Sequence, residues 1–206
     1  MERTGSYMRM ESFINACKSG HWQQQVEKVR NSGDIEKHKK MLPAIVPGLA
    51  VDFHEDLRDK VARRGEGRQS GYLVIDYDKV PADQYATLFE MLATNPHIYA
   101  VCRSAGGDGI FAVLAYETEF VMQNEDGSVK EGWNFNPVYE VLKEHIIPHG
   151  FDAKCNDLPR LRFVSYDPDA HINHEAIPVQ LEITEQRWLP PRCRKERIEY
   201  NCTICG

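Results

Sequence analysis

Residues 71–78 read G-Y-L-V-I-D-Y-D, and the predicted sheet is built around these residues. It is short, apolar and rich in β-branched and aromatic residues, which is the pattern of a β-strand. Because side chains alternate between the two faces of a strand, Leu73, Ile75 and Tyr77 point to one side and form a core-facing surface. The opposite side ends in two aspartates.

These aspartates, Asp76 and Asp78, are expected on the same face, with Cα atoms roughly 6–7 Å apart. Neighbouring carboxylates repel each other, so they usually persist together where a cation neutralises them. Oxygen-rich sites of this kind suit Mg²⁺ or Mn²⁺. The alternative is a strand that simply ends in a polar turn.

Length and composition indicate one domain, or one domain with appendages, in a chain of 206 residues that is 42% hydrophobic. The formal charge of −6 argues against nucleic-acid binding over the whole surface but is compatible with a local basic groove or a metal-assisted site. No apolar run approaches the ~20 residues of a membrane helix, and the N-terminus lacks a signal-type apolar segment. We therefore expect a soluble cytoplasmic protein without a membrane partner.

Hydrophobic periodicity and turn signals predict an α+β chain. The expected elements are, in order, a helix at 10–30 interrupted near 19–20, a short helix capped by Asp34, an edge strand within 44–53, the strand at 71–78, a helix at 81–94, strands at 98–104 and 110–116, a polar turn near 126–127, a helix at 136–147 and a buried strand at 161–165. The order strand–helix–strand–strand–helix–strand resembles a split β-α-β, ferredoxin-like antiparallel sheet. Such a sheet has helices on one face and leaves the other face open for a site.

The glycine turn (residues 104–109) reads S-A-G-G-D-G between two predicted strands. Glycines let backbone N–H groups approach an anion, and successive amides can form an anion-binding nest. The motif is neither a Walker A loop nor a G-x-G-x-x-G fingerprint. The alternative is a plain glycine-rich hairpin.

A third motif, D-L-P-R-L-R, combines Asp157 with Arg160 and Arg162 on one face of a predicted strand. Arginine is seldom buried unpaired, and its forked guanidinium suits phosphate oxygens. The alternative is a structural Arg–Asp network. Three other carboxylates compete with Asp157 as a third ligand beside the aspartate pair: Asp152, Asp167 and Asp169.

Three cysteines crowd into the end of the chain: Cys193, Cys202 and Cys205. C-x₂-C resembles a zinc knuckle half-site, for which the fourth ligand would be His171 or His174 or would lie beyond the chain's end. Otherwise the two histidines are expected to be polar loop residues. The preceding basic run, residues 187–197, could follow a nucleic-acid backbone; a disordered, solvated tail is the alternative.

Taken in order, four motifs resemble a known family: K-K-M-L-P at 39–43, S-G-Y-L-V-I-D-Y-D at 70–78, S-A-G-G-D-G-I at 104–110 and D-L-P-R-L-R-F-V-S-Y-D-P-D at 157–169. The chain is similar to the N-terminal domain often fused to VirE-type helicases. That domain is a branch of the archaeo-eukaryotic primase (primase-polymerase) superfamily, and the resemblance implies an RRM-like catalytic core. The resemblance covers roughly residues 35–180.

The resemblance implies a metal-dependent nucleotidyltransferase that acts in the DNA replication of a mobile element or phage. It implies catalytic, metal-binding carboxylates for Mg²⁺ or Mn²⁺ at Asp76, Asp78 and Asp157. It also implies nucleotide-binding roles for Ser104, Gly106, Gly107, Gly109, Arg160, Arg162, Lys39 and Lys40. The implied partners are nucleoside triphosphates, a single-stranded DNA template and a helicase in the same chain or operon. The implied domains are an N-terminal helical extension (1–34), a catalytic domain (35–186) and a basic, cysteine-containing tail (187–206).

One departure from the family concerns Gly109, which stands where many primase-polymerases have a histidine. This departure favours an alternative function, in which the chain is a non-catalytic module that is derived from a primase and binds single-stranded nucleic acid. A D-x-D glycosyltransferase is a second rival that would need a larger doubly wound domain. Haloacid-dehalogenase chemistry is disfavoured because Val80 stands where D-x-D-x-T requires threonine.

Overall fold

The structure is a computed structural model, and it describes residues 8–50, 68–117, 147–148, 150–152 and 160–180. Its helices are α1 (Met10–Lys18), α2 (Gln23–Arg30), α3 (Ile35–Lys39) and α4 (Ala82–Ala93). Its strands are β1 (Ala44–Ile45), β2 (Leu49–Ala50), β3 (Arg68–Gln69), β4 (Tyr72–Tyr77), β5 (Ile98–Arg103), β6 (Ile110–Glu117), β7 (Arg162–Phe163), β8 (His171–Ile172) and β9 (Val179–Gln180). Within these ranges, no helix is long and apolar enough to cross a membrane.

The main sheet has the strand order β4-β6-β5-β8. Strands β4 and β5 both run antiparallel to β6, so they are parallel to each other, and α4 connects them. This is a split β-α-β unit with β6 in the middle. Strand β9 adds a short parallel ladder to the end of β6. The predicted α+β class with an antiparallel sheet is therefore confirmed.

The first face of the sheet packs against α4, as the alternation along β4 predicts. Leu73, Ile75 and Tyr77 are buried there together with Leu92 of α4. The other apolar positions predicted for this helix, Tyr85, Leu88 and Phe89, pack against the same cluster. Thr94 ends the helix just before the predicted Asn-Pro stop.

The second face of the sheet is covered where we expected it to be open. Helices α1 and α2 bury their apolar stripes against it, and Phe13 and Val26 share a core with Cys102, Phe111 and Val113. The reason is in β6, whose burial is almost continuous from Ile110 onward. A strand that is apolar on both sides needs cover on both faces.

The two N-terminal helices follow from local signals. Gly20 takes a φ of +81° between α1 and α2, a conformation that glycine adopts without steric cost. At α3, the Asp34 carboxylate accepts a hydrogen bond from the Lys37 N–H at 3.1 Å, which confirms the predicted N-cap.

Three predicted segments differ in the structure. The strand expected at 161–165 is only β7, which pairs with β1 and not with the main sheet; Leu161, expected in the core, is 50% exposed. The extended segment at 44–53 splits into β1 and β2 around Pro47, and residues 51–53 lie outside the described ranges. His171, expected in a loop, lies in β8 and pairs with Val101. The turn at 126–127 and nearly all of the helix at 136–147 lie outside the described residues.

Candidate functional site

Asp76 lies at the end of β4, where its strand pairing sets it opposite Phe111 of β6. Its carboxylate accepts a hydrogen bond from Nη2 of Arg162, which comes from β7. The Asp76 side chain is only 6% exposed and that of Arg162 15%. Residues of two predicted motifs therefore meet in a buried ion pair. A structural Arg–Asp contact of this kind was the alternative given for the arginine motif.

The Arg162 guanidinium packs against an aromatic ring, but not all of its N–H groups are hydrogen-bonded. Its Cζ atom lies 5.3 Å from the centre of the Phe111 ring. Its buried Nε has no hydrogen-bond partner in the described part of the chain. Burial lowers the pKa of Arg162 to about 10, because loss of hydration disfavours the charged guanidinium.

Asp78 differs from Asp76 in its surroundings. It is exposed and lies one residue beyond the end of β4. The chain turns directly afterwards, with a φ of +52° at Lys79, and the Val80 N–H donates to the Asp108 carbonyl at 2.8 Å. One predicted carboxylate is thus enclosed, and the other faces solvent beside the glycine turn.

The glycine turn is held by its own backbone. The Gly107 N–H donates to the Ser104 carbonyl at 3.0 Å, and the Gly109 N–H donates to the Ser104 Oγ at 3.2 Å. These two amides are engaged within the turn, which limits the predicted anion nest. A Cβ atom at Gly109 would lie 2.6 Å from the Tyr77 carbonyl oxygen. Position 109, where many primase-polymerases have a histidine, therefore has no room for a side chain in this chain.

The third carboxylate is not supplied by the described candidates. The Asp152 N–H donates to the Asp76 carbonyl at 2.7 Å, which brings Asp152 next to β4. The Asp167 carboxylate instead accepts the backbone N–H groups of Arg103, at 2.7 Å, and Asp169, at 3.1 Å. Across the described residues, no three His, Cys, Asp or Glu side chains gather in a way that could hold a metal ion. Asp157 lies outside those residues.

Residues 37–171 match the family described as "BT4734-like, N-terminal domain". The chain belongs to this family. The matched region contains β4, the glycine turn and Arg162, so the convergence around Asp76 is internal to the family domain. The chain has no significant match among curated proteins and none among solved structures.

Arg30 at the end of α2, before the matched region, is a residue that the sequence analysis missed. Its Nη2 donates to the carbonyls of Ser104 and Tyr166, both at 2.9 Å, and its Nε donates to the Ala105 carbonyl at 3.3 Å. A Cβ at Gly107, where φ is +92°, would lie 3.1 Å from the Arg30 Nε. Arg30 therefore joins the glycine turn to the segment that follows β7. A cation at a helix C-terminus is common, so no local pattern distinguishes Arg30 as a residue that makes this contact.

The predicted phosphate-binding cations are arranged around the edge of this region. Helix α3 lies against the glycine turn, since the Ile35 Cγ2 is 3.6 Å from where a Cβ of Gly106 would be. From this helix and its end come Lys39, whose Nζ is 2.6 Å from a Glu36 oxygen, and the exposed Lys40. Arg160, unlike Arg162, is exposed.

The predicted zinc ligands in the tail, Cys193, Cys202 and Cys205, lie outside the described residues, as does the basic run at 187–197. Of the two candidate histidine ligands, His171 is half-buried in β8 and His174 is exposed.

Proposed function

We propose that the protein is a metal-dependent nucleotidyltransferase of primase-polymerase type that acts on a nucleic-acid template in DNA replication. One observation carries the proposal: three motifs that are far apart in the chain meet at Asp76. The β4–β6 pairing sets Asp76 beside the strand that leaves the glycine turn, and Arg162 contacts its carboxylate. A carboxylate, a glycine turn and an arginine at one strand end are the parts that phosphoryl chemistry uses.

The surroundings of Asp76 fit a cation. Its carboxylate is buried, and the partner that it already has is the positively charged guanidinium of Arg162. An ionised carboxylate in such a place needs a positive neighbour, and a hard divalent ion with oxygen ligands meets that need as well as arginine does. We assign Asp76 and the exposed Asp78 as the ligands of Mg²⁺ or Mn²⁺, with Asp157 as the proposed third carboxylate.

The bound metal ions would activate the attacking hydroxyl and neutralise charge on the phosphates. The chain's own residues position the substrate. The glycine turn lets a nucleotide come close to the backbone, and Arg160, Lys39 and Lys40 offset triphosphate charge at the rim. The proposed partners are nucleoside triphosphates, a single-stranded DNA template and a helicase in the same chain or operon.

The test is template-dependent incorporation of nucleotides with Mg²⁺ or Mn²⁺. Asp78→Asn is the sharpest variant, because this exposed side chain can be changed without disturbing the core. We expect it to abolish incorporation while leaving the unfolding midpoint unchanged, and Asp76→Ala combined with Asp78→Ala to be inactive as well. Asp83→Asn, which changes an exposed carboxylate on α4, is the control that should retain activity. Full activity of Asp78→Asn, or none in the wild-type protein, contradicts the proposal.

A second function, non-catalytic binding of single-stranded nucleic acid, is favoured by two specific observations. Arg162 pairs with the carboxylate that catalysis would need, and Gly109 has no space for the histidine of many relatives in the superfamily. This function predicts binding to single-stranded DNA that is unchanged by EDTA, together with no incorporation under any metal. Loss of binding on metal removal would exclude it.

A further inference from the structure

We propose that Arg162 is a resident counter-ion of Asp76, which a divalent cation must displace and which then becomes available to a phosphate group. The inference rests on the proposed function and deepens it by assigning an exchange of partners to one ion pair. In the ligand-free protein the Arg162 guanidinium forms an ion pair with the Asp76 carboxylate. With metal and nucleotide present, Asp76 faces the metal ion and Arg162 faces the anion.

The first support is that the Arg162 guanidinium and a divalent cation would compete for the same oxygen of the Asp76 carboxylate. The Asp76 side chain is almost completely enclosed, and the Arg162 Nη2 is in direct contact with its Oδ2. A metal ion cannot bind Oδ2 while the guanidinium is in contact with that oxygen, because two positive charges in contact at low local dielectric repel strongly. Metal binding through the Asp76 Oδ2 therefore requires Arg162 to leave.

The second support is that Arg162 is held incompletely. Its Nε is buried and has no hydrogen-bond partner among the described residues, so the guanidinium has lost hydration without recovering all of its hydrogen bonds. A buried arginine in a purely structural role is expected to satisfy its donors. An additional anionic ligand would supply the acceptor that this donor lacks.

The third support is the element that carries Arg162. Among the residues that the structure describes, strand β7 has two residues and pairs with the two-residue strand β1 in a separate ribbon. The carboxylate comes from β4, which has six residues and pairs along its length with β6. Of the two partners, the arginine therefore comes from the strand with the shorter hydrogen-bonded ladder.

The exchange makes opposite predictions for two ligands. Arg162→Gln removes the competitor, so the dissociation constant for Mn²⁺ alone should fall by about tenfold, as expected when one unit charge next to the carboxylate is lost. The same variant removes a phosphate contact, so the dissociation constant for inorganic tripolyphosphate in EDTA should rise by about tenfold. A variant that merely loosened the fold would weaken both.

The experiment measures Mn²⁺ binding to the full chain by electron paramagnetic resonance and tripolyphosphate binding by calorimetry. Arg9→Gln, at an exposed arginine, is the charge-matched control and should change neither constant beyond twofold. Adding Asp76→Asn to Arg162→Gln should remove the gained Mn²⁺ affinity. If Mn²⁺ binds the wild-type protein and Arg162→Gln equally through Asp76, the exchange is wrong and the metal site stands. If neither binds Mn²⁺, both the exchange and the metal part of the proposed function fail.

A measurement on the wild-type protein covers the case in which Arg162→Gln does not fold. With the arginine side-chain signals assigned, nuclear magnetic resonance should show hindered rotation of the Arg162 guanidinium in the metal-free protein, because the ion pair holds it. Addition of Mg²⁺ should release that rotation, and tripolyphosphate should restore it. A guanidinium that stays hindered at saturating Mg²⁺ overturns the exchange.

Discussion

Gly109 gives the most direct test of the site geometry. A Cβ atom there would lie 2.6 Å from the Tyr77 carbonyl oxygen and 3.0 Å from the Ser104 Oγ. The first contact is with the backbone of β4, which cannot rotate away. We therefore expect Gly109→Ala to force a backbone shift at the strand end, with an overpacking cost of about 1–3 kcal/mol.

The control is Gly33→Ala, because a Cβ at Gly33 would have nothing within 4 Å. Both substitutions reduce the conformational freedom of the unfolded chain equally, an effect of about 0.4–1 kcal/mol. That contribution cancels in the comparison, so the difference between the two variants isolates the clash at about 1–3 kcal/mol.

The assay is urea unfolding at equilibrium, followed by tryptophan fluorescence, with the slope against urea checked for constancy. Gly109→His should be destabilised at least as much as the alanine variant, because a larger side chain meets the same carbonyl. Equal free energies of unfolding for Gly109→Ala and Gly33→Ala would refute the proposed packing of the glycine turn on β4. A stable Gly109→His protein would show that the position can accept the histidine of many primase-polymerases.

Three further predictions concern the supports of the site. Asp76→Asn leaves the Arg162 charge buried without its counter-charge and should lower the free energy of unfolding by about 3–5 kcal/mol; in urea unfolding, adding Arg162→Gln should recover part of that loss, and strictly additive losses would argue against the ion pair. Arg30→Ala removes charged hydrogen bonds to three carbonyls and should cost about 2–4 kcal/mol, whereas Lys28→Ala on the exposed side of α2 should change thermal stability little. Burial raises the pKa of Tyr77, so the folded state disfavours its phenolate, and the stability that this contributes is fully present below pH ~10, the pKa of an unperturbed tyrosine; unfolding followed from pH 8 to 11 should show stability falling above that value, with a smaller fall in Tyr77→Phe.

The parts of the fold that the sequence predicted are those fixed by local patterns. Strand β4 alternates, α4 has its apolar stripe, and Asp34 caps α3, so each is determined by residues within a few positions. The packing of α1 and α2 on the second face of the sheet was not predicted, because the prediction rested on β4, where apolar and polar residues alternate. The signal lay in β6, which is buried on both sides along most of its length.

Residues of the candidate site were singled out from the sequence, but the contacts between them were not predicted. Asp76 and Arg162 were each singled out by residue type, yet they are 86 positions apart, and no local pattern states that they pair. Arg30 contacts Tyr166 across 136 positions and looked like an ordinary helix-end cation. Side-chain pairing across such separations depends on how the whole chain packs, which periodicity does not encode.

Arg162 and Arg30 stabilise different parts of the candidate site, and the sequence motifs alone do not show this. Arg162 neutralises the one enclosed carboxylate of the aspartate pair, and Arg30 fastens the glycine turn to the segment beyond β7. Arg30 belongs to α2, which precedes the family match at 37–171, and α1 and α2 also bury Phe111, the ring beneath the Arg162 guanidinium. Residues 1–34 were predicted to be an N-terminal helical extension. Helices α1 and α2 of this segment share the core on the second face of the sheet and support the candidate site, so the geometry around Asp76 depends on residues that lie outside the family match.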